Sequence, residues 1–285
     1  MLNLDAATVF HQWAWGGLFF LWVTTRGREV GIGYGWLLRG VYSAFALISI
    51  VIGLRWNTVW VRELSSMAMI AGAGFSFVVS WQRRRAGVLH QREQEQRKSQ
   101  RIVEMTGIDR SEQHFDDSVP EFAPALDLIA PILGFAGLVA GGIDAGSPAW
   151  LQVARVVAGA FFLGAVSDAM LLGHWYLTQP GLPRRPLIEL VDWLTWVWPV
   201  HLATLVIPPG MVAVITGEID DGWNGMLGWY WAASALATIV LCRVTRLALK
   251  ERYYSAVMAA TGLLYLAILT GFSQDLVARL VLNQA

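Results

Sequence analysis

The sequence predicts an all-α fold, a polytopic bundle of about eight transmembrane helices with the N-terminus and C-terminus outside. Three observations predict it. Hydrophobic residues make up 55% of the chain and the mean hydropathy is +0.48, far from the balance of a soluble domain. Apolar stretches of ~20 residues recur along the length, enough for a helix to cross a hydrocarbon core. Because these stretches are continuous rather than alternating, a transmembrane barrel is excluded, and helices are what satisfies backbone polar groups in lipid. Finally, the basic residues fall on alternate connections.

Taken in order, the apolar stretches place spans near residues 6 to 25, 36 to 54, 64 to 82, 124 to 143, 149 to 177, 187 to 208, 224 to 245 and 254 to 282. The chain therefore divides into three helices over 1 to 82, a charged cytoplasmic segment over 83 to 123 and five helices over 124 to 285. Arg26, Arg28 and Arg39 follow the first span, Arg83 to Arg85 the third, Arg184 and Arg185 the fifth, and Arg243, Arg246, Lys250 and Arg252 the seventh. With Arg92, Arg97, Lys98, Arg101 and Arg110 of the charged segment, all but Arg55, Arg62, Arg155 and Arg279 of the 21 basic residues share one side, which the positive-inside rule makes the cytoplasm. The expected location is a bacterial-type cell membrane.

Tryptophans fit the same frame. Trp13, Trp15, Trp56, Trp60, Trp150, Trp223, Trp229 and Trp231 fall at outer ends and Trp22, Trp36, Trp81 and Trp175 at inner ends, as an interfacial belt requires. Trp193, Trp196 and Trp198 lie deeper and are expected to face other helices. Small residues repeat every fourth position at Ala68, Gly72, Ser76 and Ser80, and at Gly137 and Gly141, predicting close helix packing.

The net charge of zero points away from nucleic acid. The single cysteine, Cys242, excludes an intramolecular disulfide framework and any iron-sulfur cluster within the chain. The first residues lack a basic stretch and a small-residue cleavage pattern, so the first apolar run reads as a span and not a removable signal. Walker, HExxH and G-x-S-x-G motifs are absent, and no internal repeat emerges. Residues 83 to 123 begin basic and end acidic, a pattern suited either to docking a protein partner or to a plain solvated linker.

Ionisable residues inside apolar stretches are the candidates for function, since each costs several kcal/mol in lipid unless paired or wetted. Two clusters emerge. The inner one comprises Asp168, His174 and Asp192, with Glu189 nearby, brought to the same third of the bilayer by the short turn between the fifth and sixth spans; it suits a proton relay or an ion site. In the alternative, structural reading, Asp168 pairs with an inner arginine such as Arg39 or Arg184. The outer cluster comprises His11, His201 and Arg155. At about 1.5 Å of rise per residue, the two histidines reach similar depth from the outer face. They would supply the axial imidazoles of a haem b, with Arg155 on its propionates. This expectation holds only if both rings face one gap.

The stretch Trp223-Asn224-Gly225-Met226-Leu227-Gly228-Trp229-Tyr230-Trp231 resembles the tryptophan-rich external segment of the membrane haem-handling proteins of cytochrome c maturation. The resemblance covers these residues alone. Ala232 stands where that motif has an aspartate, and no histidine follows in the last two spans. Three functional classes follow from the residues: a membrane redox or haem/quinone-handling subunit, a proton- or ion-coupled transporter, and a non-catalytic assembly or scaffold subunit.

Overall fold

The computed structural model describes residues 5–88, 115–116, 118–179 and 182–282. Most of the charged segment, and with it the expected docking element, lies outside the described residues. Among the described residues the chain is helical with no strand. The helices are α1 (Ala6–Thr25), α2 (Ile32–Trp56), α3 (Trp60–Gln82), α4 (Ile129–Asp144, preceded by a 3-10 turn, Pro124–Leu128), α5 (Ala149–Thr178), α6 (Arg185–Val206), the short α7 (Met211–Ile215), α8 (Met226–Ala248) and α9 (Tyr254–Leu282). Six of them, α2, α3, α4 with its leading turn, α5, α8 and α9, are long and apolar enough to cross a membrane. The chain thus has the build of a multi-pass integral membrane protein, and its outward apolar side chains, such as Leu47, Val51, Ile132, Leu236 and Leu269, are what lipid contact requires.

Local signals set the ends. Asp5 caps α1, its carboxylate accepting the Thr8 backbone N–H at 3.3 Å. Pro186 stands in the first turn of α6, where its missing N–H costs nothing. Arg184 closes the turn between α8 and α9 by donating to the carbonyls of Leu249, Glu251, Arg252 and Tyr253. Asp221 serves α8: its carboxylate accepts the N–H groups of Trp223 at 2.8 Å and of Gly225 and Leu227 at 2.9 Å. Partial desolvation raises the pKa of Asp221, but the converging N–H groups outweigh it, so the carboxyl titrates below its ordinary 3.8. The tryptophan-rich stretch after it is therefore an anchored loop running into a helix, with Trp229 outward and Trp231 buried.

At the centre stands α5, whose apolar window is 78% buried against 33% for α8 and α9. It packs against α1, α4, α6 and α9. The tightest crossing is with α1, where a Cβ on Gly16 would lie 1.9 Å from the Ala160 carbonyl oxygen and one on Gly164 would lie 2.3 Å from the Gly16 backbone. The small residues of α3 and α4 also pack closely: a Cβ on Gly72 would meet the Ala130 backbone at 3.2 Å and one on Gly141 the Thr8 hydroxyl at 2.7 Å.

Charged residues buried at the two ends tie the bundle. At one end Arg62, fully buried, donates to Asp5 at 2.7 Å, Glu63 at 2.7 Å and Thr8 at 2.9 Å. At the other, Arg39 pairs with Asp127 at 2.8 Å, and Thr25 donates to the same carboxylate at 3.1 Å. The start of α1 and the end of α9 meet through Gln12 and Arg279, so both ends of the described chain lie at the Arg62 end. Some tryptophans depart from the belt: Trp15 is in the core, donating to the Pro131 carbonyl, and Trp196, expected to face other helices, is 74% exposed.

Candidate functional site

The polar residues meet in a centre between α1, α5, α6 and α9. Asp275 and Arg279 are one turn apart on α9, and Arg279 Nε donates to Asp275 Oδ2 at 2.8 Å. Gln12 of α1 spans the same pair, its Nε2 donating to Asp275 Oδ2 at 3.4 Å and its Oε1 accepting from Arg279. From α6, His201 brings Nε2 to 3.5 Å from Asp275 Oδ1. Its ring lies flat on Phe162 of α5, centroids 4.7 Å apart and planes at 17°. His201 is wholly buried, yet neither ring nitrogen and not Asp275 Oδ1 has a hydrogen-bond partner among the described residues. Buried polar atoms are ordinarily satisfied, so an imidazole and a carboxylate oxygen left facing each other without a hydrogen bond single this pair out as the candidate titratable site.

Gly159 makes the convergence possible. A Cβ there would lie 2.5 Å from Gln12 Nε2, 2.9 Å from Asp275 Oδ1 and 3.1 Å from Arg279 Nη2. One turn earlier on the same face of α5, Arg155 reaches across to α6. Its Nε donates to the Thr204 carbonyl at 3.0 Å and its Nη2 to the carbonyls of Ile207 at 3.2 Å and Pro209 at 2.5 Å. Two residues before His201, Pro199 sits inside α6, so the Thr195 carbonyl loses its helical donor and the ladder is broken beside the pair.

The two outer histidines do not share a gap. His11 faces α3 and α4, with Nδ1 at 2.7 Å from the Ser66 hydroxyl and Nε2 at 3.0 Å from the Gly134 carbonyl. A carbonyl only accepts, so Nε2 carries the proton and Nδ1 takes the Ser66 hydroxyl, leaving no lone pair for an iron. His201 faces α5 and α9 instead. The residues therefore do not fit a haem b bridging α1 and α6, and Arg155 is turned to backbone carbonyls. Among the described residues no group of three His, Cys, Asp or Glu is placed to hold a metal ion.

The inner residues disperse as well. Asp168 is fully buried, accepts the Tyr42 hydroxyl on Oδ1 and has Oδ2 without a partner; neither Arg39 nor Arg184 is its counter-ion. His174 Nδ1 lies 2.9 Å from the Tyr265 hydroxyl on an exposed face, Asp192 accepts Arg246 at 2.6 Å, and Glu189 pairs with Arg26. Asp168, His174 and Asp192 thus form three separate contacts, because the turn sets their depth but not their azimuth. Of the outer group, His201 and Arg155 do border one centre. Gln12, Asp275 and Arg279 were missed, although an acid and a base one turn apart inside the last apolar stretch are a readable signal.

Comparison of the chain with family models, curated proteins and solved structures gives no match to any of the three.

Proposed function

We propose that this chain is a proton-coupled membrane carrier in which His201 and Asp275 hold the coupling proton. The observation that carries the reading is the fully buried imidazole whose Nε2 lies 3.5 Å from a buried carboxylate oxygen, with neither of these two facing atoms hydrogen-bonded among the described residues. Arg279 and Gln12 hold the other carboxylate oxygen, so Oδ1 alone is left to answer His201. A proton arriving on the imidazole turns the contact into a charge-assisted hydrogen bond, and its departure removes that attraction. The proline break beside His201 lets the outer part of α6 follow the change. In the accompanying topology α1 and α6 also cross the membrane, giving eight spans with both termini outside and the basic connections in the cytoplasm of a bacterial-type cell.

The test is dissipation of an imposed pH gradient by purified protein in liposomes, with the voltage clamped by valinomycin, across a panel of small cations, anions and neutral solutes. At least one solute is expected to accelerate the wild type above protein-free liposomes, and Asp275→Asn and His201→Gln are each expected to lower that rate about 100-fold. A wild type indistinguishable from empty liposomes for every solute, or variants as fast as the wild type, overturns the reading.

A further inference from the structure

The charges around this centre do not balance. Two guanidinium groups border it, Arg279 beside Gly159 of α5 and Arg155 one turn earlier on that helix, against one carboxylate, Asp275. Arg279 takes that carboxylate. Arg155, 5% exposed, has no carboxylate within ion-pair distance among the described residues, and its Nη1 has no hydrogen-bond partner there. An uncompensated cation in a membrane interior is costly. Three backbone carbonyls from the end of α6 and the turn after it orient the guanidinium and supply partial negative charge. They hold Nε and Nη2, which fixes the plane of the group, and leave Nη1 buried with no hydrogen-bond partner among the described residues. The acceptor that suits a fixed guanidinium nitrogen beside a second cation is an anion of one charge.

We propose that Arg155 anchors a small monoanion, and that this anion is the solute moved with the proton. The word solute rests on the carrier reading; the binding site does not. The imbalance of one positive charge selects a monoanion over a dianion. The anion contacts the Nη1 side of Arg155, and Arg279, already holding Asp275, adds attraction without giving up its partner. An anion at Arg155 and a proton at His201 then enter a site whose added charges cancel.

The experiment is the thermal unfolding of the full-length protein in detergent, in sodium chloride, sodium formate and sodium gluconate at equal ionic strength. Chloride and formate are the probes and gluconate is the control too large for the site. The wild type is expected to gain several degrees in Tm with chloride or formate over gluconate, rising with concentration as ligand binding requires. In Arg155→Gln that increment is expected to vanish, and in Arg155→Lys, which keeps the charge without the fork, to shrink. If Arg155 only clamps the end of α6, the variants melt lower by the same amount in every salt and the wild type shows no anion increment; that result overturns the proposal. An increment that persists in Arg155→Gln also overturns it. Should Arg155→Gln fail to fold, Arg155→Lys decides by the same comparison. Solute-driven proton flux for a cation, with no anion increment in Tm, sinks the anion site and leaves the carrier standing. The increment without any flux does the reverse.

Discussion

Whether a buried acid is structural depends on what its loss would strand. Asp127 holds Arg39, whose side chain is 3% exposed, so Asp127→Asn leaves a buried guanidinium without its charge partner. The expected loss is about 3–5 kcal/mol. Asp168 is equally buried, but its partner is the Tyr42 hydroxyl, and an asparagine oxygen accepts that hydroxyl as well. Asp168→Asn is therefore expected to melt within a degree or two of wild type. Thermal unfolding of the two variants in one detergent separates them: a large loss for Asp168→Asn would mean that its charge has a counter-ion after all.

At the scale of elements, the bundle is assembled on the crossing of α1 and α5. There is no flexible group to yield at Gly164, because its added Cβ would meet the backbone of Gly16 at 2.3 to 2.6 Å. Gly164→Ala is expected to destabilise by about 1–3 kcal/mol through helix separation. Gly40 and Gly74 are the controls: a Cβ at either meets nothing within 4 Å. There alanine should be neutral or stabilising by up to about 1 kcal/mol, from helix propensity alone. Equal effects at all three positions, measured by thermal unfolding, would refute the close crossing. The centre lies beside this crossing, where the missing side chain of Gly159 lets Gln12, Asp275 and Arg279 converge.

For the whole molecule, the distribution of basic residues and the meeting of Gln12 with Arg279 make one prediction. Both ends of the described chain lie at one end of the bundle, and the described basic connections at the other. In a Cys242→Ser background, Gln100→Cys is expected to react with a membrane-impermeant thiol reagent only after the cells are opened. Reaction from outside intact cells would invert the topology.

Much of this was legible in the chain alone. Apolar length specifies helices because lipid leaves the backbone no other partner, and the six apolar helices lie where their stretches predict. Starts were less legible: α2 begins at Ile32 and α3 at Trp60, each about a turn before its apolar run, because Gly31 and Val59 lead polar-flanked turns into the helix. Depth could be counted along each stretch, which brought His11, His201 and Arg155 to one level and Asp168, His174 and Asp192 to another. Azimuth could not, because which face of a helix turns inward is decided by the neighbours it packs against. Only the tertiary structure turned His11 to Ser66 and Gly134, Asp168 to Tyr42, and His201 to the Asp275 of the last helix. That last contact joins residues 74 positions apart, and it is set by the small residues that let α1, α5, α6 and α9 come together, a packing energy that no stretch of sequence carries by itself.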